Sequence, residues 1–308
     1  MVSVVIVNWN SGPLLAQCLR SLAAHGGDCE VIVVDNASRD TSLEFAPPAR
    51  LRLEIVRNGR NLGCAAGNNL GWRRSAGESV LFLNPDTECL PGALASLAER
   101  LGASPEHWAA AGQLVDPAGR LQAGFNVRAF PTVASVTAQM LLLEALWPGN
   151  PWSRRYRMSD WDHRTFRYVD QPAGACLMVR RRALEALGGF DESFHPAWFE
   201  DVDLCRRIYN SGGLIAYEPA ARFVHHGGAS LRSLSRGEFL EYFHTNQCRY
   251  FAKHHGPCAA RAVRRRIVAG LLVRALAALI RRPQASPRVE EARACWSAAR
   301  RLRRPEAP

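Results

Sequence analysis

The chain of 308 residues is 47% apolar and 22% charged, which can bury a large core and excludes a disordered or collagenous polymer. Its net charge of +11 is unevenly placed: residues 261–308 carry thirteen Arg and no Lys against Glu290, Glu291 and Glu306. The main body is therefore nearly neutral and offers no basic, aromatic platform for nucleic acid, and none is expected as a partner.

The N-terminus enters an apolar strand at once, with no basic segment or small-residue cleavage site, so no signal peptide is expected. Val2-Ser3-Val4-Val5-Ile6-Val7 predicts a strand, followed by polar Asn8-Trp9-Asn10-Ser11-Gly12 and a helix with Leu14, Leu15, Cys18, Leu19 and Leu22 on one side. Glu30-Val31-Ile32-Val33-Val34 predicts a second strand, ending at Asp35-Asn36. Leu51–Val56 and Val80–Leu83 predict two more. Continuous apolar strands separated by helical stretches imply a parallel sheet covered on both faces, an α/β architecture. In such sheets ligands lie outside the carboxyl ends of the strands, where this chain places Asn8 and Asn10, Asp35, Arg57-Asn58 and Asn84-Pro85-Asp86. The segment from Arg60 through Asn61 to Gly71 is small and Gly-rich, which suits either a close-packed helix start or backbone approach to a nucleotide; it has neither the dinucleotide fingerprint nor a Walker lysine.

Beyond residue 105 the periodicity blurs. Residues 145–170, with three Trp, two Tyr, five Arg and three Asp, predict a long ordered loop. Pattern returns at Ala175-Cys176-Leu177-Met178-Val179 and in a following helix. Trp198-Phe199-Glu200-Asp201-Val202-Asp203 then sets three acids within four residues. Either their mutual repulsion raises one carboxyl's pKa toward that of a general base, or they are the acidic N-terminus of a helix with Arg206 and Arg207 one turn on. In Phe223-Val224-His225-His226-Gly227-Gly228 the two histidines face opposite sides of an extended chain, so at most one meets a given metal; a hydrogen-bonded structural role is the alternative. The nine cysteines form no CxxC pair and no Cys/His zinc spacing, which predicts reduced thiols in a cytosolic compartment.

Taken in order, VSVVIVNWNSGPLLAQCLRSL, VIVVDNASRDTS, RNGRNLGCAAGNNLGW, VLFLNPDTE, PAGACLMVRRRALEALGGFDESF, WFEDVDLCRRI and FVHHGGAS resemble glycosyltransferase family 2, in its rhamnosyltransferase-like branch, over residues 1–235. The resemblance implies a GT-A fold with a mixed, mostly parallel sheet and an inverting enzyme that uses a nucleotide-diphosphate sugar, dTDP-L-rhamnose in this branch. UDP-hexose or UDP-N-acetylhexosamine transfer, or a non-catalytic nucleotide-sugar binder, are the rival readings. By the family's motifs, Asp35, with Asn8, Asn10 and Asn61 near the same pocket, implies a contact to the base or ribose. Asn84 and Asp86 correspond to the DxD element, with Asn84 where many relatives have Asp. Asp86 implies a ligand to a divalent metal, Mg2+ or Mn2+, and His225 a second one. Gly174 and Ala175 imply the place where donor and acceptor sugars meet. Asp201 implies the catalytic base, with Glu200 supporting it and Asp203 structural.

The same resemblance implies a glycan or polyprenyl-diphosphate-linked acceptor and a place at the inner face of the cell membrane. Arg154, Arg155 and Arg157 are candidate contacts to the acceptor's diphosphate. In the C-terminal part, Ile267–Ile280 is a fourteen-residue, mostly apolar stretch interrupted by Arg274 and bounded by arginines; it is too short to span a bilayer. It reads either as a helix lying in the membrane interface, which would make the protein membrane-associated, or as a helix docked on the protein with a basic outer face. The expected division is a catalytic domain over 1–255 and a basic helical extension over 256–308.

Overall fold

The structure, a computed structural model, describes residues 1–228, 234–280 and 286–303. Arg281, Arg282 and Glu306 of the basic extension, and Ala229 and Ser230 of the last motif, lie outside the described residues. The chain divides into two compact units. The first is built from residues 1–130, 157–196 and 200–233, and the second from 131–156, 197–199 and 234–308. The expected boundary at 255/256 therefore falls within the second unit.

In the first unit the elements run β1 (Val2–Asn8), α1 (Leu14–His25), β2 (Cys29–Asp35), β3 (Arg52–Arg57), α2 (Cys64–Arg74), β4 (Ser79–Leu83), β5 (Thr87–Cys89), α3 (Ala93–Gly102), β6 (His107–Val115) and β7 (Val127–Arg128). After the second unit's helices α4 (Val133–Met140), α5 (Leu143–Leu146) and α6 (Pro151–Arg157) come β8 (Arg167–Tyr168), β9 (Gln171–Pro172), β10 (Cys176–Arg180), α7 (Arg181–Leu187), α8 (Glu200–Asn210) and β11 (Leu214–His225). One sheet has the order β3-β2-β1-β4-β10-β6-β11-β5, with β8 also on β11, while β7 and β9 form a separate pair.

Strand direction decides where chemistry can gather. β3, β2, β1 and β4 are mutually parallel, so Arg57, Asp35, Asn8 and Leu83 end at one edge. β10 is antiparallel to both β4 and β6, with Cys176 opposite Leu83, so its amino end and the preceding Gly174-Ala175 come to that same edge. β11 runs parallel to β6 and delivers His225 there as well. β5 then folds back antiparallel on β11, pairing Thr87 with His225 and setting Asp86 beside it.

The β-branched runs are buried because both sheet faces are covered. Val4 and Ile6 join Val31, Val33, Leu81 and α1's Leu15, Leu19 and Leu22 on one side. Val5 joins Val80, Phe82, Leu177, Val179 and Leu204 on the other. The helix expected after β1 forms with Leu15, Cys18, Leu19 and Leu22 as its buried stripe.

The second unit is helical, adding α9 (Arg236–Ile280) and α10 (Ser286–Leu302). α9 is broken at Gly256, whose φ of 80° and following Pro257 interrupt the helical hydrogen bonds. Arg236 pairs with Glu291 at 3.1 Å and Arg301 with Glu241, which sets α10 alongside the first half of α9. Trp198 and Phe199 belong to this unit's aromatic core, Trp198 edge-on to Phe239 at 5.0 Å and Phe199 to Phe243 at 5.3 Å. In the stretch expected as an interface or docked helix, Ile267, Leu271 and Ala275 are buried and Arg274 donates to the Gln139 carbonyl at 2.7 Å, whereas Val273, Leu276 and Leu279 are exposed. Residues 145–170 are not one loop. They contain α6, whose Ser153 amide is capped by the buried Asn150 side chain at 3.0 Å, and β8.

Candidate active site

At the end of β1 the fully buried Asn8 Nδ2 donates to Asp35 Oδ1 at 2.8 Å and to Ser42 Oγ at 2.9 Å. Ser38 N donates to the other Asp35 oxygen at 3.2 Å. Each carboxylate oxygen keeps a further lone pair for a ligand donor. Asn10, held at φ 52°, accepts from Arg39 N at 2.8 Å and donates through its own amide to Ser38 Oγ, so it shapes the 38–39 loop.

Asn36, which the sequence reading leaves without a role, ties this pocket together. Its Nδ2 donates to the Gly63 carbonyl at 3.0 Å and its Oδ1 accepts from Asn58 Nδ2 at 2.9 Å. Asn61 accepts from Gly63 N at 2.8 Å. Gly63 sits at φ 85°, and a Cβ there would lie 2.7 Å from His195 Nδ1 and 2.8 Å from the Pro196 carbonyl, so glycine is required on two counts.

The second group lies at the β4 end. Asn84 N donates to the Ala175 carbonyl at 3.1 Å, and Thr87 N to the Asn84 carbonyl at 3.1 Å, a tight turn around Pro85 that buries Asp86. His225 Nε2 lies 3.5 Å from Asp86 Oδ1. Gln122 fixes the imidazole from behind: its Nε2 donates to the His225 carbonyl at 2.8 Å, which turns its Oε1 toward Nδ1 at 2.8 Å. Nδ1–H is then the donor, so Nε2 presents a lone pair to a carboxylate oxygen, the arrangement a divalent cation or a proton would relieve. Phe125 stacks on the imidazole at 5.0 Å and 6°. Neither Gln122 nor Phe125 is marked in the sequence. Among the described residues no group of three or more His, Cys, Asp or Glu side chains converges to hold a metal. A cation here would take Asp86 and His225 from the protein and complete its coordination with oxygens of a diphosphate.

The third group opens α8. Gly174 N donates to Asp201 Oδ2 at 2.9 Å, and Val202 N to Asp201 Oδ1 at 2.8 Å. Glu200 is buried beside Cys64, and its Oε2 has no hydrogen-bond partner among the described residues. Burial first, and then the neighbouring Asp201 charge, push the Glu200 carboxyl up to about 8. Asp203 is fully buried and accepts from Arg207 Nε at 2.7 Å, with Arg207 also donating to the Leu187 and Gly189 carbonyls. It therefore joins α8 to the end of α7. The acidic run opens a helix, and the one carboxyl in it with a raised pKa is Glu200, where burial outweighs the repulsion from Asp201 as the cause.

The topology thus brings together Asn84, Asp86, Gly174, Ala175, Asp201 and His225 through main-chain hydrogen bonds and the approach of His225 to Asp86, and Asn8, Asn10, Asp35 and Asn61 in an adjoining network. Cys64, following Gly63 and touching Glu200, links the two.

The family model for glycosyl transferase family 2 matches residues 3–188. The chain belongs to glycosyl transferase family 2. It is 32% identical over 238 residues to the N-acetylglucosaminyl-diphospho-decaprenol L-rhamnosyltransferase of Mycobacterium tuberculosis, covering 73% of this chain and 76% of that one. Among solved structures it is similar to the mannosyltransferase PcManGT from Pyrobaculum calidifontis in complex with GDP-Man and Mn2+, with TM-score 0.54 and 18% identity over 98% of this chain and 86% of the other. GalNAc-T7 with UDP, GalNAc and Mn2+ aligns at TM-score 0.57 and 17% identity over 73% of this chain, which spans less than half, 43%, of that longer protein. The fold of this glycosyltransferase is GT-A, as the motifs imply, and both structural relatives are complexed with Mn2+.

Proposed function

We propose that this glycosyltransferase moves L-rhamnose from dTDP-L-rhamnose to a polyprenyl-diphosphate-linked N-acetylglucosamine acceptor, with inversion, in the synthesis of a cell-surface polysaccharide at the inner face of the membrane. The relative at 32% identity carries a rhamnosyltransferase name with a lipid-linked diphosphate acceptor, and it supports this choice of donor and acceptor. The observation that carries the mechanism is the Gly174–Asp201 hydrogen bond, which aims one carboxylate at the sheet edge shared with Asp86.

Asp35, oriented by Asn8, accepts hydrogen bonds from the nucleoside, and Asn10, Asn36 and Asn61 shape the loops around it. Asp86 and His225 would hold a divalent cation, Mg2+ or Mn2+. When bound, that cation neutralises charge developing on the departing diphosphate. Asp201 takes the proton from the acceptor hydroxyl as the oxygen attacks the anomeric carbon, and the bond from that carbon to the diphosphate oxygen breaks on the opposite face. The nucleoside diphosphate leaves with that electron pair. Glu200, protonated at neutral pH, keeps a second negative charge away from Asp201 and so positions the base without competing for the proton.

Incubation with dTDP-L-rhamnose and a short-chain polyprenyl-diphospho-N-acetylglucosamine, with the product's anomeric configuration read by NMR, tests this reading. Transfer with configuration opposite to the donor's is expected. Transfer only from UDP-sugars would overturn the donor assignment, and retention of configuration would overturn the roles of Asp201 and Glu200.

A further inference from the structure

The second unit displays large apolar side chains in water where its own core does not need them. Leu146 is 79% exposed, Trp147 53% and Trp152 44%, with the two indoles edge to face at 6.1 Å. They are held out by a built turn. Asn150, fully buried, donates its main-chain N–H to the Trp147 carbonyl at 3.2 Å and caps α6 through Ser153. The root of the segment is fixed on α9, where Met140 closes on Gly270 and Gln139 accepts from Arg274. Arg154 and Arg155 follow the indoles directly and are exposed.

The charge of the unit says what kind of surface this tip meets. Between Glu241 and Glu290 the chain has no acidic residue, and it carries Arg249, Lys253, Arg261, Arg264, Arg265, Arg266 and Arg274 among its cations. A second copy docked by this face would bring two basic units together, which costs Coulomb energy. An anionic lipid surface would reward the same charges, while indoles and leucine enter the headgroup boundary. Among the described residues no helix is long and apolar enough to cross a membrane, so the contact would be peripheral.

We infer that the turn carrying Leu146, Trp147 and Trp152, with Arg154 and Arg155 beside it, is a membrane-docking element for an anionic lipid surface. This assigns the docking role to a segment outside the apolar stretch at 267–280, which packs Ile267, Leu271 and Ala275 inward, keeps Val273, Leu276 and Leu279 exposed, and has no paired indoles. It rests on the lipid-linked acceptor only for its purpose, since docking needs no sugar nucleotide.

The test is flotation of the full chain with vesicles of phosphatidylcholine alone or with phosphatidylglycerol, in the absence of donor and acceptor. The wild type should float with the anionic vesicles, and Leu146→Ser/Trp147→Ser/Trp152→Ser should bind them about tenfold or more weakly. Brominated lipids should quench fluorescence of the wild type more than that of Trp147→Phe/Trp152→Phe, which keeps the test valid if the triple variant folds poorly. Equal binding by wild type and variants, or a wild-type dimer made monomeric by the triple variant with vesicle binding unchanged, would overturn the inference. Donor turnover by the triple variant reports separately on the transferase reading.

Discussion

The Gly174 main-chain N–H donates to Asp201 Oδ2 across 2.9 Å, and the carbonyl of the next residue accepts from Asn84 N at 3.1 Å. The proposed base and the turn that carries Asp86 are thus anchored on two consecutive residues at the amino end of β10. A Cβ at Gly174 would stand 3.0 Å from Asp201 Cβ and 3.2 Å from its Oδ2. Gly174→Ala should therefore push the carboxylate aside and lower kcat by roughly 10- to 100-fold, with donor KM nearly unchanged. Steady-state kinetics at saturating acceptor checks this.

Asp201→Asn removes the proton acceptor while keeping the side chain's size. Transfer should fall by about 10²- to 10⁴-fold, with donor binding by calorimetry retained.

Gln122 is the orienting partner of His225, and Gln122→Leu releases the imidazole to the wrong tautomer. Mn2+ affinity in the presence of the nucleoside diphosphate should weaken by about 10- to 100-fold. A paramagnetic titration of Mn2+ reads that number directly.

Glu200 binds its proton more tightly folded than unfolded, its pKa rising from 4.5 to about 8. The native state keeps this proton as pH rises through that window while the unfolded chain loses it, so the contribution is full below 4.5 and is lost progressively up to about 8. Glu200→Gln should flatten that decline. Thermal melts of both proteins across this pH range should converge at acid pH and separate toward neutrality.

Asp203 and Arg207 form a pair in which the carboxylate is fully buried. Asp203→Ala would leave the guanidinium without its charge partner and should cost about 3 kcal/mol in urea unfolding. The folded fraction should retain its kcat, which separates this acid from Asp201.

The strands β1, β2, β4 and β10 are legible in the sequence because their β-branched and leucine side chains are buried on both faces and leave apolar runs, whereas β3, an edge strand with Arg52, Glu54 and Arg57 exposed, is legible only by its alternation. β6 is not: His107–Val115 is built on three alanines, which carry little strand signal even though they are fully buried. β11 is masked by Pro219 and by an irregularity between Glu218 and Arg222. α6 lacks an apolar stripe and is marked only by the Asn150 cap.

In the candidate site, Asp35, Asp86 and Asp201 stand out because they follow strands or open a helix. The meeting of Asp86 with His225 depends on β5 folding back onto β11, a pairing between residues far apart in sequence that no local pattern encodes. Gln122 and Phe125 lie in an irregular segment after β6, where only that fold-back gives them something to hold.

The most direct test of the central claim is donor binding and turnover with dTDP-L-rhamnose, UDP-glucose, UDP-galactose and UDP-N-acetylglucosamine, with Mg2+, Mn2+ or EDTA, for the wild type and Asp86→Ala. With metal, dTDP-L-rhamnose should be bound and turned over, and EDTA or Asp86→Ala should lower turnover on the order of 10³-fold. Metal-independent turnover, or an Asp86→Ala protein as active as the wild type, would contradict it.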